Sequence, residues 1–229
     1  MYEKETILDK LGRLISVAGN GILMNLLFLV SCIPVVTIGQ AWSALLTAIR
    51  YQIRGDRWFD GYKAGFKRRF WRGTIVGVIM LVVNLFFLRD IVEIYRNFAV
   101  EEGTTVSLIT ASVVFALTTA LTMALQLLNV YVPTPLGEWL RNGANMIFKV
   151  PVELVVAAGL YWLPLLLFLL WDQVFAYFMI LIFAAYYTIA AAAITLLMKN
   201  ALVRYLVQAR ADGTLLAEEG ANAPQEDEE

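Results

Sequence analysis

An all-α, polytopic membrane helical bundle is the fold class this sequence predicts, with five to six transmembrane segments and a cytoplasmic amphipathic basic helix. Three observations predict it. Of the 229 residues, 60% are hydrophobic and 16% charged, whereas soluble domains average about 45–50% apolar and about 25% charged. The apolar residues come in runs near 20 long, the length that crosses roughly 30 Å of hydrocarbon. The charges also segregate: basic residues crowd positions 50 to 72, and acidic ones crowd the end from Glu218 to Glu229.

Local signals justify each element in turn. The opening, MYEKETILDKLGRL, alternates charged and apolar residues with no cleavage site after a short apolar core, so the first span is expected to act as its own insertion signal. Leu8, Leu11, Leu14 and Ile15 share one helical face. A helix starting at the interface should therefore run into a first segment over 14–33. Pro34 ends or bends it, because proline lacks a backbone donor and clashes with the preceding turn. Thr37 and Gln40 stand at capping-box spacing and predict a new helix over 38–53, with Arg50 and Arg54 snorkelling at its end. The break Pro34, Thr37, Gly39, Gln40 is either the turn of a helical hairpin, giving six segments, or a kink in one span, giving five.

Beyond it the most polar internal stretch, 55–73, carries the basic amphipathic helix over about 58–72. A clean segment follows over 74–88, then a mixed loop or short amphipathic helix over 89–103. The longest apolar run is 104–132. Residues 133–151 are polar, with helix breakers at both ends. The last segments, 152–170 and 174–198, are separated only by Trp171, Asp172 and Gln173, so they should form an antiparallel hairpin. Residues 1–210 thus read as one transmembrane domain and 211–229 as a disordered acidic tail.

Lysine and arginine counts by loop orient the bundle. With six segments, sixteen basic residues lie inside and two, Arg89 and Arg96, outside. With five, the split is thirteen to five. Both place the basic loop and the C-terminus in the cytoplasm. The six-segment arrangement segregates charge better, is preferred, and puts the N-terminus inside as well.

The strongest candidate site is that basic loop. Trp58, Tyr62, Phe66 and Phe70 recur every four residues, flanked by Lys63 and Lys67 on one side and Arg68 and Arg72 on the other. The pattern suits a helix in the headgroup plane, rings down and cations outward, as a dock for a partner protein or for anionic lipid. A simple topology-setting anchor explains the same residues. Asn25, Asn84, Gln126 and Asn129 fall within apolar runs and need partners there, since lipid offers none; they read as interhelical glue more than as a transport path. No Asp, Glu, Lys or Arg sits at the centre of a span, and Glu153 stands four residues after Lys149 as a local pair. Gly73 and Gly77 form a GxxxG, and Ala184, Thr188 and Ala192 repeat the small-residue spacing, marking helix contacts within the chain or with another.

Chemistry is constrained by what is missing. The sequence has no histidine and one cysteine, Cys32, so no catalytic residue, metal site or cofactor is expected, and Cys32 reads as a small packing residue. Nucleotide-binding, nucleophile-elbow and zinc-protease motifs are absent. A nucleic-acid partner is not expected, because no soluble fold supports the basic patch.

The run NLLFLVSCIPVVTIGQAWSALL, followed by GYKAGFKRRFWRG, resembles the YesL-like family of bacterial integral membrane proteins, a domain of unknown function. Asn25, Leu26, Leu27, Pro34, Thr37, Gly39, Ala41, Ala44 and Leu45 fill the pattern, which covers roughly residues 11 to 75; Gln40 stands where the family often has Pro or Ala. The resemblance implies a bacterial plasma-membrane protein acting as an accessory or regulatory subunit of a carbohydrate ABC importer, with permease subunits and membrane lipids as partners. It supplies no catalytic residues. An independent small-solute channel or carrier, or a lipid-contacting structural protein, are the other readings. The oligomeric state is open.

Overall fold

The structure, a computed structural model, describes residues 7–97, 104–132, 135–170, 179 and 182–211. All regular structure among them is helical. The chain runs α1 (Ile7–Cys32), a 3-10 turn (Val35–Thr37), α2 (Ile38–Arg54), α3 (Trp58–Lys67), α4 (Phe70–Asn97), α5 (Thr104–Tyr131), α6 (Leu136–Lys149), α7 (Pro151–Leu170), a π-helical stretch (Ile182–Tyr186) and α8 (Tyr187–Ala211). The fold is an all-α membrane bundle. Among the described residues four stretches are long and apolar enough to cross a bilayer: Ile15–Cys32, Phe70–Ile94, Thr105–Tyr131 and Ala184–Val207. Their outward apolar side chains suit lipid: Val82, Val106 and Leu196 are each more than 60% exposed, a surface that would drive association in water.

The break at Pro34 is a chain reversal. Phe28 lies six residues before it and Trp42 eight after, yet their rings meet edge to face at 5.9 Å. Val17 and Ile22 of α1 line the same groove as Ile49 and Ile53 of α2. A continuous helix, rising 1.5 Å per residue, would hold these pairs tens of ångströms apart.

The second arm, expected as a membrane segment over 38–53, forms as the helix α2, Ile38–Arg54. α2 is the interior of the bundle, buried from Gly39 through Leu46 and again at Ala48 and Ile49. At 17 residues it is shorter than the four stretches among the described residues that are long and apolar enough to cross a membrane; five to six segments were expected. A fifth arises only if α6 and the first part of α7, bent by 104° at Val150, count as one broken span. Trp42 anchors the centre, edge to face with Phe28 of α1 and with Tyr161 of α7.

Other boundaries differ for plain reasons. The segment expected over 74–88 extends to Phe70 and Asn97, because the mixed stretch after residue 88 continues α4 as helix, with Arg89 and Glu93 pairing one turn apart. Residues 133–151 hold α6; its Pro135 cap and the Pro151 that opens α7 are breakers seen in the sequence. Buried Trp139, Asn142, Gly143 and Met146 give it an inner face; the Trp139 Nε1–H donates to the Leu125 carbonyl and the Tyr205 hydroxyl to that of Asn142. The last helix runs past residue 198 to Ala211. The 171–173 linker and the tail from 212 lie outside the described residues.

Close helix approach depends on glycine. A Cβ added to Gly39 would lie 2.7 Å from both the Gly73 carbonyl oxygen and Gly77 Cα, so the GxxxG of α4 is an internal contact with α2. Gly39→Ala is therefore expected to destabilise the bundle by about 1–3 kcal/mol, read as a lowered melting temperature in detergent. Gly19→Ala meets nothing within 4 Å and should leave it unchanged. Equal melting of both variants would refute this packing.

Candidate functional site

The site grows from Gln40, the second polar residue after the Pro34 break. It does not close a capping box with Thr37. Thr37 has near-helical dihedrals and no side-chain cap bond; its hydroxyl turns back instead to the carbonyls of Ser31 and Pro34, satisfying the end of α1. Gln40 is thereby released for a distant task. Its Nε2 donates to the carbonyl oxygens of Gly65, Phe66 and Arg68, at 2.7, 3.0 and 2.9 Å. These carbonyls end α3, where the helix leaves its last acceptors unpaired. One buried amide thus ties the start of α2 to the turn between α3 and α4.

That turn corrects the expected helix over 58–72. α3 stops at Lys67, and α4 begins at Phe70. Between them Arg69 adopts φ +50°, a left-handed conformation costing a side-chain-bearing residue about 1–2 kcal/mol. The aromatic stripe also faces the other way from expectation. Tyr62 is buried, and Trp58 and Phe66 pack against the core. Tyr62 stacks on Phe66, which meets Phe70 at 5.6 Å. Gly61 and Gly65 sit so close to Tyr51 and Thr47 of α2 that a Cβ would overlap them. The rings therefore seat α3 on α2 and leave lipid to others, and burial pushes the Tyr62 phenol up to about 12. Spacing alone could not distinguish a protein floor from a lipid floor.

The cations divide into two sets. On the outer face of α3, Arg57 and Lys63 each approach Asp60 at 3.9 Å, and both stay largely exposed; Lys67 is exposed too. The other set gathers at the C-terminal end of α5. Arg50 and Arg68 both donate to the Val130 carbonyl, at 3.3 and 3.2 Å, and Arg69 donates to that of Val132 at 3.2 Å. The Arg50 guanidinium lies 4.2 Å over the Tyr131 ring, and Arg72 stacks 4.9 Å over Trp139. Arg50 was expected to snorkel away; it folds onto α5 because the last carbonyls of that helix lack partners and carry partial negative charge. Arg69 was missed by sequence reasoning, and only its place beside Arg68 hinted at it.

The intramembrane amides are all buried. The Asn25 Oδ1 accepts from the backbone N–H groups of Tyr187 and Thr188, where the π-helical stretch meets α8. The Asn84 Oδ1 accepts from the Thr118 and Thr119 hydroxyls, and its Nδ2 donates to Met80 and Thr122. The Gln126 Oε1 accepts from Ser43. Asn129 lies beside Gly73, against which Gln40 also rests. Sequence reasoning missed the threonines and Ser43, although Ser43 sits one turn after Gln40. Glu153 pairs with Arg204 of α8 at 2.9 Å; the local pair with Lys149 expected on one helix is not the geometry, since the bend at Val150 separates the two. Among the described residues no cluster of three or more Cys, Asp or Glu exists to hold a metal. Cys32 is half-buried at the end of α1, packed against the core.

If Gln40 secures the α3–α4 turn, Gln40→Leu should expose it. The two N–H groups of its amide, shared among one buried and two part-buried carbonyls, would be lost, a cost of about 1–3 kcal/mol. Limited trypsin digestion in nanodiscs should cut between Lys67 and Phe70 faster than in the parent chain. Unchanged cleavage there would sink the assignment.

A family model described as "Protein of unknown function, DUF624" matches residues 22–91. The stretch that holds the hairpin, α3 and most of α4, including Gln40 and the Arg50, Arg68 and Arg69 cluster, is thus similar to a family without assigned activity. No curated protein and no solved structure matches the chain.

Proposed function

We propose that this chain is a non-enzymatic accessory or regulatory membrane subunit that accompanies a carbohydrate ABC importer in the bacterial plasma membrane, its basic end facing the cytoplasm. The YesL-like pattern across the hairpin supports the importer and the bacterial setting. The segregation of lysine and arginine supports the orientation. The observation that carries the reading is the mounting of α3. Its rings are spent on α2, so Arg57, Lys63 and Lys67 form the outer face of a helix fixed to the bundle's interior. A rigid cationic face suits an acidic surface on a partner, and charge complementarity of this kind sets encounter rate and register.

The interior favours a subunit over a path for a polar solute. The space beside Asn84, Thr122 and Gln126 amounts to about 20 Å³, room for roughly one water molecule, and the adjoining space of about 220 Å³ is lined mostly by apolar and aromatic side chains such as Phe28, Leu81 and Trp162. The amides that border the smaller space bond to neighbouring threonine and serine hydroxyls.

Purification from the native host in mild detergent is expected to bring permease subunits of a carbohydrate importer with the tagged chain. Lys63→Glu together with Lys67→Glu should reduce that recovery at least tenfold while the melting temperature stays within about 2 °C, since both side chains are exposed. Recovery of no importer component, or equal recovery with the double variant, would overturn the reading.

A further inference from the structure

We propose that the C-terminal end of α5 is a binding site for one phosphate-bearing anion, held between Arg50, Arg68 and Arg69. This is a different surface from the outer face of α3 and does not depend on the subunit reading. Arg50 and Arg68 are neighbours across a single oxygen, the carbonyl of Val130. Arg69 reaches the next helix-end carbonyl, Val132. Each guanidinium carries five N–H groups. Arg50 and Arg68 each show one hydrogen bond, and neither has a carboxylate partner among the described residues. Arg50 also feels the charges of Arg54 and Arg68, and Arg72 that of Arg69.

The charge balance leaves the site cationic. A helix C-terminus supplies the equivalent of about half a negative charge; the two guanidinium groups of Arg50 and Arg68, which meet on the Val130 carbonyl, bring two positive ones. Arginine's planar fork matches phosphate oxygens with two parallel bonds, so two forks anchored on one carbonyl present paired donors to the same anion. Three anchors hold the arginines in place beforehand: the Val130 and Val132 carbonyls and the Tyr131 ring under Arg50.

The backbone adds an independent pointer. Arg69 is the one non-glycine residue with positive φ among those described. Strain of this kind concentrates where a fold aims a side chain. Here it lets two consecutive arginines reach the end of the same helix, where an extended pair would point to opposite sides.

The phosphate has two possible sources, an acidic phospholipid headgroup and free inorganic phosphate. The full chain is placed in nanodiscs of phosphatidylcholine alone, of phosphatidylcholine with phosphatidylglycerol, and of phosphatidylcholine with added inorganic phosphate, and melting is followed in each. A ligand that binds the folded state raises the melting temperature in proportion to its saturation. A rise of several degrees with phosphatidylglycerol identifies the lipid; a rise with inorganic phosphate alone identifies the free ion. Arg50→Gln with Arg68→Gln should remove at least half of the rise, whereas Lys63→Gln with Lys67→Gln, equal in charge lost, should keep it. Arg69→Gly gives a further separation: it relieves the positive φ and removes the bond to Val132, and measured against its own melting in phosphatidylcholine alone the anion-dependent rise should shrink. The proposal is overturned if neither source raises melting, if the lysine pair removes the rise as fully as the arginine pair, or if Arg69→Gly keeps it whole.

Discussion

Hydrocarbon cannot solvate a peptide group, and an unpaired amide or carbonyl at membrane depth costs several kcal/mol. Continuous helices meet this constraint within themselves; interrupted ones do not. This bundle is interrupted at the hairpin, at the α3–α4 turn, at the end of α5 and before α8, and at each a polar side chain fills the gap. Thr37 serves the first, Gln40 the second, Arg50, Arg68 and Arg69 the third, and Asn25 the fourth. The chemistry matches the polarity of each break. Donors go to the carbonyls that end α3 and α5, and an acceptor goes to the amides that begin α8.

This requirement explains why α2 is inside. A helix bearing Gln40, Ser43 and Arg50 is poorly suited to face lipid, but each of these groups has an acceptor on α3 or α5. The remaining turns of α2 are small or apolar, with Gly39, Ala41, Ala44 and Ala48 among its buried residues. Such residues admit neighbouring helices at short distance, which is how helices associate where no hydrophobic difference separates protein from solvent. The apolar helices α1, α4, α5 and α8 then surround it and supply the lipid-facing surface. Burial of α2 and exposure of those helices are two consequences of one sorting.

The sequence revealed what depends on composition and on local breaks. Pro34 marked the reversal, the long apolar runs marked α1, α4, α5 and α8, and the amides at 25, 84 and 126 were legible as groups needing partners. What escaped depends on neighbours. Hydropathy could not tell that α2 faces protein, because a moderately apolar helix of this length fits either environment. The four-residue recurrence of Trp58, Tyr62, Phe66 and Phe70 fixed an apolar face and left its floor undefined. The capping-box spacing of Thr37 and Gln40 was present, but Thr37 found nearer carbonyls and Gln40 found a longer-range use. α6 was passed over because its apolar residues form a narrow inner face, and its flanking prolines delimit a short helix as readily as a loop.

The same buried amide joins the hairpin to the cationic end of α5. Gln40 leaves the first turn of α2 and reaches the carbonyls of Gly65, Phe66 and Arg68; the third of these belongs to the residue whose guanidinium lies on Val130. Arg50 leaves the last turns of the same α2 and reaches that same oxygen. The arginines are therefore positioned from both ends of one interior helix, by one route through the α3–α4 turn and by another directly. A shift of α2 along its axis would move Arg50 and would strain the bonds that hold Arg68, so the cluster and the hairpin are parts of one mechanical unit. Such a contiguous set of hydrogen bonds is the physical form that coupling between a membrane-buried helix and a surface charge takes. It lies almost wholly within residues 22–91, the stretch that matches the family model, with α5 contributing the acceptors.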